Sequence, residues 1–242
     1  MQDSHPNDPA DARASAAPAG RIAPSPAGEG GATPEPRARP RRFSMLRTFV
    51  LADLVTLGNA ACGTGAILLC LAHLAEGDGA LLWWAFALLP LALGCDIADG
   101  SIARWRRKHS PLGADLDSLA DVVSFGVAPA VLGYTVGLRG GWDALVLIYF
   151  VGCGISRLAR FNVTAAQLSA GTGKVKYYEG TPIPTSLALV AVLAVAYARG
   201  AVGDRLWLGA AALGPFTLHP LVLMYAASGT AMASATLRIP KP

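Results

Sequence analysis

Charge is scarce in this chain: of 242 residues only 15% are charged, 53% are hydrophobic, and the mean hydropathy is +0.43. A water-soluble domain needs more polar surface than this composition supplies, so an all-α integral membrane protein is the expected class. Cysteine is rarer still. Cys62, Cys70, Cys95 and Cys153 stand singly inside apolar runs with no C-x-x-C pair, which excludes a disulfide framework; they read as small packing residues. The histidines, His5, His73, His109 and His219, form no cluster, and none has a lysine two positions on. No charged leader with an apolar core and cleavage pattern opens the sequence, so no secretory signal peptide is expected. Asp3, Asp8, Asp11, Glu29 and Glu35 argue equally against an organellar transit peptide.

What is present falls into zones. Residues 1–42 are rich in Ala, Pro, Gly, Ser and Arg without apolar periodicity and are expected to be a disordered tail. Arg37, Arg39, Arg41 and Arg42 at its end suit anionic lipid headgroups. Residues 43–53 predict a juxtamembrane amphipathic helix. A six-helix transmembrane domain is then expected over 54–236, with spans near 54–76, 79–104, 115–137, 142–164, 182–199 and 206–234. Each offers about 20 apolar residues or more, enough for a ~30 Å hydrocarbon core. Gly214-Pro215 and His219-Pro220 mark the first half of the last span as a place for a kink or an interfacial segment. Residues 237–242 read as a short C-terminal tail. With the N-terminus in the cytoplasm, every Lys and Arg except Arg139, Arg199 and Arg205 lies on or near the cytoplasmic side. A multi-pass protein of the cytoplasmic membrane with both termini inside is the expectation, and no nucleic-acid partner.

One stretch breaks the apolar pattern. Between Asp96 and Asp121 the chain reads DIADGSIARWRRKHSPLGADLDSLAD. Asp96 and Asp99 are spaced to share one helix face, as are Asp117 and Asp121 on the next helix. Carboxylates at membrane depth are costly without a pairing charge. Four of them converging would repel one another unless divalent cations neutralised them. Oxygen-only ligands suit hard ions such as Mg²⁺ or Mn²⁺, and magnesium favours a few carboxylates plus substrate phosphates. Paired ions roughly 3.5–4 Å apart serve phosphoryl displacement. The plainer reading has the acids salt-bridging Arg104, Arg106, Arg107 and Lys108 in a solvated loop. A third has intramembrane acids lining a divalent-cation path, against which the acids gather at one membrane face and the spans show no inverted repeat. Asp115 reads as a solvated loop acid or N-cap rather than a ligand.

Further along, ISRLARFN places Arg157 and Arg160 one turn apart near a helix end, and Lys174 and Lys176 follow in a loop. Two readings stand: arginines that snorkel to the interface, or guanidinium forks for a carboxylate or phosphate.

The pattern Asp-x2-Asp-Gly-x2-Ala-Arg-x8-Gly-x3-Asp-x3-Asp over residues 96–121 resembles the signature of the CDP-alcohol phosphatidyltransferase family. Around it, TLGNAACG (56–63), DSLADVVSFGVAPA (117–130), RLARFN (157–162), EGTPIP (179–184) and ATLRIPKP at the C-terminus look like the serine-using, integral-membrane branch of that family. The resemblance covers residues 45–242. It implies transfer of a phosphatidyl group from CDP-diacylglycerol to L-serine with release of CMP, in a likeness to homodimeric enzymes embedded among membrane lipids. It also implies two Mg²⁺ or Mn²⁺ ions, one held by Asp96, Asp99 and Asp117, the other by Asp96, Asp117 and Asp121. Asp121 would be the general base. Thr56, Gly100, Ala103, Arg104, Ser110 and Gly113 would meet the CDP-diacylglycerol, and Arg157, Arg160 and Lys174 the serine. Without a His-x-Lys motif, direct in-line attack is expected and no phosphatidyl-enzyme. Two positions depart from the family pattern: Ala52-Asp53 where Pro-Asn is common, and Thr181 before Pro-x-Pro where a bulky apolar residue is usual. Another acceptor, such as glycerol phosphate, or an ether-lipid donor is the alternative within the same chemistry.

Overall fold

The computed structural model describes residues 51–106, 111–170, 177–234 and 238–240. Helix α1 (Leu51–Glu76) and α2 (Gly79–Arg106) form a tight hairpin. Gly77, in the left-handed region at φ +74°, donates its N–H to His73 O at 2.8 Å and ends α1. Asp78 Oδ1 then accepts from Ala80 N at 2.8 Å and starts α2. The juxtamembrane helix expected over 43–53 differs at its end, because residues 51–53 already belong to α1. Residues 43–50 and the expected tail at 1–42 lie outside the described residues.

Helix α3 (Pro111–Asp121) runs through a π-helical segment, Val122–Val127, into α4 (Ala128–Val136). The widened turn has a local cause. Pro129 has no N–H to donate, and Ala128 N bonds back to Val123 O, one residue further than an α-helix allows. Read as one span, Gly113–Val136 is 67% buried across its most apolar window, against 28% for each of the other three long helices, so it is the central element. Helix α5 (Gly141–Ala170) is the longest. Its first turn holds Asp143, fully buried, which accepts from Gly140 N and His219 N at 2.8 Å and bonds His219 Nδ1, tying the start of α5 to the start of the last helix.

Among the described residues, four helices are long and apolar enough to cross a membrane, not six. The span expected at 182–199 is the shorter apolar helix Ile183–Ala198, a 3-10 turn (Ile183–Ser186) leading into α6 (Leu187–Ala198). The span expected at 206–234 is helical only over Pro220–Ala233, a 3-10 turn (Pro220–Val222) and α7 (Leu223–Ala233). Before it lies a hairpin, β2 (Ala211–Leu213) against β3 (Phe216–Leu218). Leu208, Gly209 and Gly214 take φ of 72°, 66° and 61°, incompatible with a right-handed helix, and Pro215 completes the two-residue turn. Near the C-terminus, β4 (Arg238–Pro240) pairs antiparallel with β1 (Tyr177–Glu179), so residues expected as a tail join a strand.

The core gathers around the central element: Phe125, Leu132, Phe150, Leu193, Tyr225 and Met232 are wholly buried or nearly so. Tyr225 Oη donates to Pro129 O at 2.6 Å, and its ring meets Phe150 edge-on at 5.1 Å. The outward faces carry exposed apolar side chains such as Leu68, Trp84, Leu91 and Ile148, as a lipid-facing surface requires.

Candidate active site

The acidic stretch becomes a site because α1 orders it. Thr56, Asn59 and Gly63 recur at helical spacing on one face of α1. Thr56 Oγ1 donates to Asp99 Oδ2 on α2 at 2.6 Å, and Asn59 Nδ2 donates to Asp121 Oδ1 at the end of α3 at 3.2 Å. Ser124 Oγ, in the π-helical turn, donates to Asn59 O at 2.9 Å. Gly63 permits this approach: a Cβ there would stand 2.7 Å from Ser124 Cα.

Asp96, Asp99 and Asp117 each present an oxygen within 4.8 Å of the others, drawn from α2 and α3. Asp117 Oδ1 is buried with no hydrogen-bond partner among the described residues. Oxygens this close, one of them without a donor, fit a hard divalent cation better than they fit each other. Asp121 is not part of that converging trio; like Asp99 it accepts a bond from α1, in its case from Asn59. It shares with Asp117 a cleft of about 320 Å³ between α3 and α5, whose far wall includes Arg157, Phe161 and Asn162. Arg157 Nε is buried there without a partner among the described residues. Asn162 Nδ2 donates to Ser118 Oγ at 3.0 Å across the same cleft.

Not every expected residue meets there. Arg160 Nη2 donates to Ala233 O at 2.9 Å, at the end of α7, and is not among the residues lining the cleft. Around Gly100, one residue past Asp99, a Cβ would find no atom of another described residue within 4 Å, so among the described residues nothing covers this face of the helix backbone. Gly113 lies in α3, and Ala103 and Arg104 in the last turns of α2, the side chains of these last two outside the described residues. Ser110 and Lys174 also lie outside the described residues. Asp115 is an exposed residue inside α3, not a loop acid or N-cap, because the helix already starts at Pro111.

Thr56, expected beside the nucleotide, also bonds a candidate ligand, Asp99. Asn59, Ser118, Ser124 and Asn162 fall inside the quoted family motifs, but the sequence reading gave them no role of their own. For Asn59 a signal existed, since a carboxamide between Thr56 and Gly63 on one face of an apolar helix needs a buried polar partner. Which partner, 62 residues away, no local pattern specifies.

Comparisons with known proteins bear on the family. The model of the family described as CDP-alcohol phosphatidyltransferase matches residues 49–231. A CDP-diacylglycerol–serine O-phosphatidyltransferase of Saccharomyces cerevisiae is 41% identical over 203 residues, covering 83% of this chain and 74% of that protein. One of the same name from Methanocaldococcus jannaschii is 36% identical over 148 residues, 61% of this chain and 62% of that protein. An archaetidylserine synthase of Methanothermobacter thermautotrophicus is 40% identical over 139 residues, 56% of this chain and 54% of its own length. The match thus spans less than two thirds of each archaeal relative.

Proposed function

This chain belongs to the CDP-alcohol phosphatidyltransferase family, and we propose that it transfers the phosphatidyl group of CDP-diacylglycerol to the hydroxyl of L-serine, giving phosphatidylserine and CMP. The observation that carries the reading is the meeting of Asp96, Asp99 and Asp117 beside a cleft that also holds Asp121 and Arg157. The printed names of the relatives support serine as the acceptor.

In this reading Asp96, Asp99 and Asp117 hold one Mg²⁺ or Mn²⁺, and Asp96, Asp117 and Asp121 hold a second. Such ions, when bound, supply Lewis-acid stabilisation of a diphosphate. The chain's own residues do the rest. Thr56 keeps Asp99 turned into the site. Gly100 leaves the α2 backbone open to the CDP portion, with Arg104 and Ser110 as further contacts. Arg157 receives the serine carboxylate, a match for a buried guanidinium nitrogen that has no other partner among the described residues. Asp121 takes the proton of the serine hydroxyl as that oxygen attacks the lipid-side phosphorus. A phosphorus–oxygen bond to serine forms, the bond to CMP breaks, and no phosphatidyl-enzyme intervenes. Arg160, bound to Ala233 O, braces α5 against α7.

The distribution of Lys and Arg supports a cytoplasmic site in a cytoplasmic membrane, with both termini inside. A homodimer remains the expectation from family resemblance. One observation favours a second reading of the donor: a relative named archaetidylserine synthase shares the acceptor but not the lipid. The test is CMP release by purified protein with Mn²⁺ or Mg²⁺, comparing serine with glycerol phosphate and CDP-diacylglycerol with an ether-lipid analogue. Serine-dependent release with the diacyl donor is expected. Release driven by glycerol phosphate alone defeats the proposal.

A further inference from the structure

Asn59 is 0% exposed, and its side chain is a poor choice for packing. Nδ2 makes one bond, to Asp121 Oδ1, while Oδ1 is buried with no partner among the described residues. A buried acceptor left unmade lowers stability, whereas an apolar group of the same shape is often neutral there or better. The carboxamide therefore weakens the fold at this point, and what it gains is contact with one carboxylate. Its placement is held from both sides. Ser124 Oγ clamps the Asn59 carbonyl, and Gly63, one turn on, lets the π-helical turn close against α1. Ser124 follows Asp121 by three residues, so a single helix–helix contact sets both partners of the bond.

The consequence concerns which oxygen works. Asn59 engages Oδ1 of Asp121, which leaves Oδ2 without that bond in a residue that lines the cleft. Thr56 does the same for Asp99 one turn earlier, engaging Oδ2. Helix α1 thus supplies one neutral donor to the second acid of each pair, from two different helices. We propose that Asn59 is a positioning residue for the transfer reaction: it touches neither substrate but fixes the orientation of Asp121 toward the acceptor. The inference rests on the functional reading given above.

The test replaces Asn59 with Leu, similar in size and without a donor, in the full chain purified in detergent. Expected are a kcat for serine-dependent CMP release lower by about 10–100-fold, the scale for losing a group that orients a functional side chain, and KM values for both substrates within about threefold of the parent. The thermal midpoint should hold or rise, which a purely structural asparagine does not allow. Asn59→Ala carries the same kinetic expectation where Asn59→Leu fails to fold. An active parent with an equally active variant overturns the inference alone, as does a variant whose kcat loss follows only from a lowered thermal midpoint. A parent inert toward serine removes the functional reading, and the inference falls with it.

Discussion

At the scale of single residues, Asp121 and Arg157 face one cleft but should control different constants. Asp121→Asn keeps the shape and removes the base. Turnover should fall by roughly 10²-fold or more, the usual scale for general-base loss, while binding of CDP-diacylglycerol to the purified variant persists. Arg157→Ala removes a half-buried side chain whose Nε is buried without a partner among the described residues. The KM for serine should rise at least about tenfold, the worth of a charge-assisted bond, with the KM for CDP-diacylglycerol little changed in initial-rate measurements. Arg160→Ala should leave the serine KM nearly unaltered, because its guanidinium bonds a main-chain carbonyl on α7. Equal effects of the two arginines would return Arg160 to the acceptor site.

At the scale of elements, two glycines on neighbouring helices do opposite jobs. Gly63 lets α1 close on the π-helical turn, and a methyl there meets the Ser124 backbone, which cannot swing aside. Gly63→Ala should cost about 1–3 kcal/mol, the range for overpacking, read as a lowered thermal midpoint with parallel loss of activity. Gly100 has open space around it among the described residues. Gly100→Ala should hold or raise stability, since alanine in a helix is favoured by roughly 0.5–1 kcal/mol. Its KM for CDP-diacylglycerol should nevertheless rise, because the methyl occupies the approach to the backbone. A stable Gly100→Ala enzyme with normal donor KM would remove Gly100 from the nucleotide site. The π-helical turn belongs to the same argument: it carries Ser124, whose hydroxyl bonds the Asn59 carbonyl of α1.

For the molecule as a whole, the acids at the site and the topology make separate claims. Chelation should abolish CMP release, and Mn²⁺ or Mg²⁺ should restore it where a soft thiophilic ion does not, as oxygen-only ligands require. Topology is checked by labelling. A cysteine in place of Leu213, in a background without native cysteines, sits in the β2–β3 hairpin rather than inside a span. It should react with a membrane-impermeant maleimide from the non-cytoplasmic face of intact cells. Protection from both faces would restore a full sixth span.

Hydropathy and spacing made the helical membrane class and the four long helices legible, and pointed to acids of which the fold brings Asp96, Asp99 and Asp117 together, because hydropathy and face-sharing along a helix are local properties. They failed where locality fails. An uncharged run such as 206–219 satisfies hydropathy as a hairpin as readily as a helix, and positive φ at Leu208 and Gly214 decides between them only once the chain is packed. Likewise the spacing places Arg157 and Arg160 together, yet tertiary contacts send one into the cleft and the other to α7. That Asn59 meets Asp121 depends on α1 docking against the turn after α3, a contact set by Gly63 and Ser124.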